Sequence, residues 1–190
     1  MKKILALILV LSLLFTLAAC GGEKEDDKKT EDPKTSEDGG NKGVSGKTFN
    51  VGNFTVLVPE GWMEIPVEDM WSETGAIDPD MIQIIKDGES EFDILTKAYI
   101  QFDYYGPETD MMAPSSEWYD GATDLDPIVT GDLTWKGFSA VSGGNPMTVL
   151  CTGEAGGPQF QATLWCNGEY TISVTDADVL AILASVVPAA

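Results

Sequence analysis

Histidine and arginine are both absent from this chain of 190 residues. Without histidine, Ser-His-Asp and Cys-His catalysis, imidazole bases and histidine-containing metal sites are excluded. Positive charge is scarce and unevenly placed: 31 acids face 11 lysines, for a net charge of −20. Residues 21–47 hold eight acids and six lysines, whereas 48–190 hold 23 acids and three lysines, Lys86, Lys97 and Lys136, again a net −20. A domain so acidic and lacking arginine is repelled by phosphate instead of releasing its counterions, which excludes nucleic acid as a partner. The same charge disfavours flat docking on anionic lipid. Cysteine is rare too, at three residues, Cys20, Cys151 and Cys166.

One long apolar run is present. Met1-Lys2-Lys3 precedes Ile4 to Ala19, interrupted by Ser12 and Thr16, and Leu17-Ala18-Ala19-Cys20-Gly21-Gly22 follows. The order is that of a basic, an apolar and a small-residue region, so 1–19 reads as a removable signal peptide. As a helix the run would cover roughly 24 Å, short of the ~30 Å hydrocarbon core, which argues against a permanent span. Leu17-Ala18-Ala19-Cys20 resembles the lipobox of bacterial lipoproteins. The resemblance implies cleavage before Cys20, diacylglycerol on its sulfur, and a domain held at the outer face of the cytoplasmic membrane. Two acyl chains at ~0.8 kcal/mol per buried methylene hold a protein firmly, where one does not.

Residues 20–47 read as the lipidated cysteine and a tether. The segment is almost all Gly, Glu, Asp, Lys, Thr and Ser and cannot offset its ordering entropy. As a flexible coil it spans roughly 30 Å. Asn41-Lys42-Gly43-Val44-Ser45-Gly46-Lys47-Thr48 looks like a phosphate-cradling loop whose first glycine is Asn41. A working one follows a buried strand and opens a helix, whereas this one follows a polar run and enters a strand, so it is set aside.

Residues 48–190 read as one α+β domain, large enough to bury roughly 68% of its unfolded surface. Phe49 and Val51 alternate up to Gly52-Asn53, and Phe54, Val56 and Val58 alternate after it. A two-residue loop pairs Phe49 with Val56 and puts all five on one face. Residues 66–80 are punctuated by Pro66, Gly75 and Pro79, so at most a short helix is expected around Glu68–Glu73. Met81–Lys86 and Ala98–Tyr105 alternate as strands, the second placing Ala98, Ile100, Phe102 and Tyr104 opposite Tyr99, Gln101, Asp103 and Tyr105. Ser115 and Ser116 offer caps for a helical turn. Strands are expected near Pro127–Thr130, Asp132–Val141, Pro146–Gly153 and Gln159–Cys166. The parity of Phe160, Ala162 and Leu164 continues in Tyr170, Ile172 and Val174, which predicts a meander through Asn167-Gly168-Glu169. Val179, Ile182, Leu183 and Val186 form the apolar stripe of a closing helix over 176–187, with Thr175-x-x-Asp178 as a weak capping box and Pro188 as its stop.

Three segments carry a family resemblance. Phe54-Thr55-Val56-Leu57-Val58-Pro59-Glu60-Gly61-Trp62 resembles the opening of Mog1/PsbP-like domains, Gly131–Phe138 their central strand, and Asp178–Ser185 their closing helix. The resemblance implies a curved, mostly antiparallel sheet with helices on its two faces, an α/β/α sandwich. It implies no activity, since members serve as assembly factors and partner-binding subunits.

The candidate sites are few. With Ala155–Pro158 as a loop, Cys151 faces Ala162 and Cys166 lies four residues along the same face, roughly 13 Å away. That register favours free thiols, and a disulfide would need it to slip. The clusters Asp120/Asp124/Asp126 and Asp87/Glu89/Glu91/Asp93 lack the glycine of a calcium loop and read as solvated faces, so no metal or cofactor is expected. Trp165 and Tyr105 fall out of phase with their apolar neighbours and point to the other sheet face. If part of that face is open, they form an amphipathic platform for a sugar or a peptide. No motif singles out a pair of acids, so no catalytic residue is assigned. The reading is a non-catalytic, membrane-anchored module binding a protein or glycan outside the cell. The alternative is a small carboxylate-dependent hydrolase, which acids alone neither exclude nor support.

Overall fold

The computed structural model of the protein describes residues 43–109 and 111–189. Residues 1–42, which hold the expected signal peptide, Cys20 and most of the expected tether, lie outside the described residues. Among these residues eleven strands follow in order: β1 Gly46–Asn50, β2 Phe54–Pro59, β3 Trp62–Glu68, β4 Ile77–Lys86, β5 Tyr99–Tyr105, β6 Thr123–Asp124, β7 Ile128–Thr130, β8 Leu133–Ser142, β9 Asn145–Gly153, β10 Gln159–Trp165 and β11 Val187–Pro188. Among the described residues one α-helix, α1 Ala177–Ala184, precedes β11. The strands form two antiparallel sheets. The larger runs β3-β4-β5-β10-β9-β8-β6 with β7 also on β8, and the smaller is β1-β2-β11.

This overturns the α/β/α sandwich with helices on both faces of one sheet. The molecule is a β-sandwich, and its second layer is the small sheet. The hairpin parity holds, with Phe49 opposite Val56 and Val51 N donating to Phe54 O at 2.9 Å. Gly61, in the left-handed region at φ +81°, turns the chain between β2 and β3 and so divides the two sheets. Asn53 ties the hairpin tip to β4 through Pro79 O at 3.0 Å and Asp80 Oδ1 at 2.7 Å.

Between the layers lies the main core. Phe54, Val56 and Val58 of β2 meet Ile82 and Ile84 of β4, Ile100 and Phe102 of β5, and Phe160, Ala162 and Leu164 of β10. Val179, Ile182 and Leu183 seal it from α1. The indoles entering this core keep partners: Trp135 Nε1 donates to Thr130 Oγ1 at 3.1 Å, and Trp62 Nε1 to Asp178 Oδ2 at 3.3 Å.

Two further segments lack the regular structure their sequence allows. Residues 69–76, where at most a short helix was expected, form a hydrogen-bonded loop, because the Asp69 and Ser72 side chains bond to backbone amides that a helix would use. The meander beyond Cys166 shrinks to one bridge, Asn167 with Tyr170. β10 already has β5 on one edge and β9 on the other, so no backbone is left for 171–174 to pair with. Ile172 still enters the core, but from a loop.

Candidate functional site

The face of the large sheet turned away from the main core presents the chemistry. Register builds it in rows. Ile85, Tyr99, Trp165 and Met147 form one row, Gln83, Gln101, Thr163 and Val149 the next, and Met81, Asp103, Gln161, Cys151 and Lys136 a third. Since alternate residues of a strand share a face, the apolar parity that fills the core on one side sends these polar and amphipathic groups to the other. Part of this face is covered: Tyr119 and Ala122 pack on Phe138, Ala140, Met147 and Val149, forming a second apolar cluster that Trp165 joins at its margin. Ser115, whose Oγ accepts from Glu117 N at 3.3 Å, starts the turn that carries Tyr119 there.

A chain of side-chain hydrogen bonds crosses the rows. Gln83 Nε2 donates to Gln101 Oε1 at 3.1 Å, and Gln101 Nε2 donates to both oxygens of Asp103 at 3.2 Å. Gln161 Nε2 donates to Thr163 Oγ1 at 3.2 Å, and the buried Gln159 donates to Thr109 O at 3.4 Å. Burial pushes the Asp103 carboxyl above its usual range; the Gln101 bond opposes this and the Asp78 charge adds to it. Burial likewise raises the Tyr99 phenol, and that of Tyr105 with help from Asp103 and Cys151. The Cys151 thiol is pushed up to about 11 by burial.

Beside this row a cleft of about 620 Å³ opens between residues 111–116 and β8–β9, with Phe138, Val149, Cys151 and Lys136 in its wall. Lys136 forms no ion pair among the described residues, whereas Lys47 pairs with Glu64 and Lys97 with Asp93. Lys136 stands three strands from Asp103, roughly 14 Å by sheet spacing.

Trp165 and Tyr105 both lie on this face, but the structure does not bring them together. Trp165 is opposite Tyr99 and Tyr105 is opposite Gln159, six residues along, or roughly 20 Å. The partner of Trp165 is Tyr99, stacked with ring centroids 6.3 Å apart and planes at 22°. Strand parity placed Tyr99 on this face, but the pairing depends on β5 lying beside β10, which the sequence does not state.

Cys151 and Cys166 are free. The register is one residue off the expected one: Cys151 faces Gln161, so it and Cys166 are on opposite sides of the sheet. The acidic segment 87–93 is a structural loop in which Asp93 accepts from the amides of Glu89 and Ser90 and pairs with Lys97. No three acidic or thiol side chains among the described residues are placed to hold a metal ion. Lys47 of the phosphate-loop look-alike sits within β1 and bonds Glu64.

No family model matches the chain, and no curated protein matches it. Among solved structures it is similar to a protein of Bacteroides thetaiotaomicron VPI-5482, with 14% identity and a TM-score of 0.43. The match covers 76% of this chain and 49% of that one, so the chain spans about half the length of that structure. Among the described residues no helix is long and apolar enough to cross a membrane.

Proposed function

We propose that this protein is a bacterial lipoprotein, held by lipid on Cys20 at the outer face of the cytoplasmic membrane, whose β-sandwich binds a glycan or protein without turning it over. The lipobox-like Leu17-Ala18-Ala19-Cys20 supports the anchor. The observation that carries the binding reading is the Tyr99–Trp165 stack set beside the glutamine and Asp103 ladder. A sugar offers an apolar ring face with hydroxyls around it, and a half-covered aromatic pair flanked by amides and a carboxylate complements both. Nucleic acid is not among the proposed ligands, for the charge reason given above.

Titration with soluble glycan fragments and neutral peptides tests this reading. Binding that Trp165→Ala and Tyr99→Ala abolish, without turnover, supports it. Radiolabelled palmitate on the wild type and its loss in Cys20→Ala test the anchor separately.

The alternative is hydrolysis through carboxylates: the Asp78 charge acts on the buried Asp103 carboxyl, and glycoside hydrolysis works through a pair of carboxylates. Turnover of any fragment that Asp103→Asn or Asp78→Asn abolishes would replace the binding reading.

A further inference from the structure

The connection between β3 and β4 carries two large apolar side chains outside the fold: Met70 is 84% and Trp71 86% exposed. Single exposed apolar residues are ordinary. These two are adjacent, and they stand on a loop whose backbone is already tied. Asp69 N donates to Ala76 O at 2.8 Å and closes the loop, while the Asp69 side chain accepts from Trp71 N at 2.8 Å and its carbonyl from Ser72 N at 2.9 Å. On the returning side Ser72 Oγ accepts from the amides of Thr74 at 3.2 Å and Ala76 at 3.0 Å. The segment under Trp71 is therefore arranged before a partner arrives, and association does not have to order it.

Charge selects the occupant. From Glu68 to Asp80 there are five acids, Glu68, Asp69, Glu73, Asp78 and Asp80, and no lysine. Such a rim is repelled by an anionic bilayer and by a second copy of a domain this acidic. Its complement is a surface apolar at the centre and basic around it. Tryptophan is the residue most often found to dominate such contacts, and methionine is enriched in them.

We infer that the β3–β4 loop is a docking finger: Trp71 and Met70 enter an apolar slot on a protein partner whose rim lysines or arginines face Glu68, Asp69 and Glu73. The surface is separate from the Tyr99–Trp165 face. Tyr99 adjoins Ile85 near the end of β4, whereas the loop leaves from Ile77 at its start. Either site can fail without the other.

The test pans a displayed library of random disulfide-closed peptides against the full-length chain. Retained peptides are then measured on the wild type, Trp71→Ala and the Glu68→Lys/Glu73→Lys double variant. The expected peptides carry Lys or Arg beside aromatic or aliphatic residues and lose about 30-fold or more in affinity on Trp71→Ala. They should also weaken on the double variant and at high salt. Unchanged melting of Trp71→Ala shows that binding alone was removed. The inference is overturned if no peptide is retained, or if those retained ignore Trp71 or lack basic residues. A fluorescence shift on zwitterionic phosphatidylcholine vesicles that Trp71→Phe removes would assign the finger to lipid instead. Sedimentation showing Trp71-dependent dimers would assign it to a second copy.

Discussion

Gln101 donates from one amide nitrogen to both carboxylate oxygens of Asp103, at 3.2 Å each, on a sheet face where burial disfavours the carboxylate charge. Because burial is the larger effect, the folded protein holds the Asp103 proton more tightly than the unfolded chain does. Its contribution to stability is complete below the ordinary aspartate pKa and is lost as pH rises through the raised value. Asp103→Asn, which keeps an acceptor for Gln101, should melt higher than the wild type at pH 7. The gain should vanish near pH 3, and a variant that melts lower at pH 7 would show the charge to be structurally required.

Asp93 titrates in the opposite sense. The Glu89 amide, then the Ser90 amide and Lys97, hold its carboxyl below the usual range of 3.8, against some desolvation. The bonds it makes are complete above that value and are lost as pH falls through the depressed one. Hydrogen exchange at the amides of Glu89 and Ser90 should accelerate selectively in acid, below about pH 3.8, before the core strands open. Asp93→Ala, which removes the acceptor, should lose that protection at every pH.

Ile182 has no exposed surface and lies in the core shared by α1 and β2. Trimming it to valine should cost about 1 kcal/mol in denaturant unfolding. Ile182→Asp buries an unpaired charge, several kcal/mol against a total of ~5–15, and should abolish cooperative melting. A folded Ile182→Asp variant would mean that the helix does not seal the core.

The two domain thiols should be present and slow. With Cys151 at about 11, its reactive thiolate is roughly one part in a thousand at pH 8. Cys166 is buried, and its thiol donates to Ile172 O at 3.5 Å. A thiol reagent should label both at speed only after denaturant is added, and an intact mass short of two hydrogens would reveal a disulfide instead.

Which residues face the core was legible from parity. Phe54, Val56 and Val58, then Ile82 and Ile84, Ile100 and Phe102, and Phe160, Ala162 and Leu164 all alternate in sequence and all reach the core. The reason is local: a strand places alternate side chains on opposite faces whatever it pairs with. The stripe Val179, Ile182 and Leu183 was legible by the same logic at helical spacing, whereas Val186 is buried from beyond the helix, which ends at Ala184 and not at the expected 187.

Partnership is not local, and only the tertiary structure decided it. Tyr170, Ile172 and Val174 carry strand parity yet form no strand, because β5 and β9 occupy both edges of β10. Cys151 was displaced to the far face because Gly153, at φ +96°, pairs with Gln159 and so lengthens the loop by one residue; a side chain at Gly153 would strike Pro158 O at 2.3 Å. The second layer was decided in the same way. Val187 and Pro188 pair with Thr55 and Phe54 across most of the domain's length, making β1-β2 a separate sheet where flanking helices were expected. Alternation fixes which way a side chain points, but burial of both layers' apolar faces against each other chooses the neighbours, and that choice depends on all the strands at once.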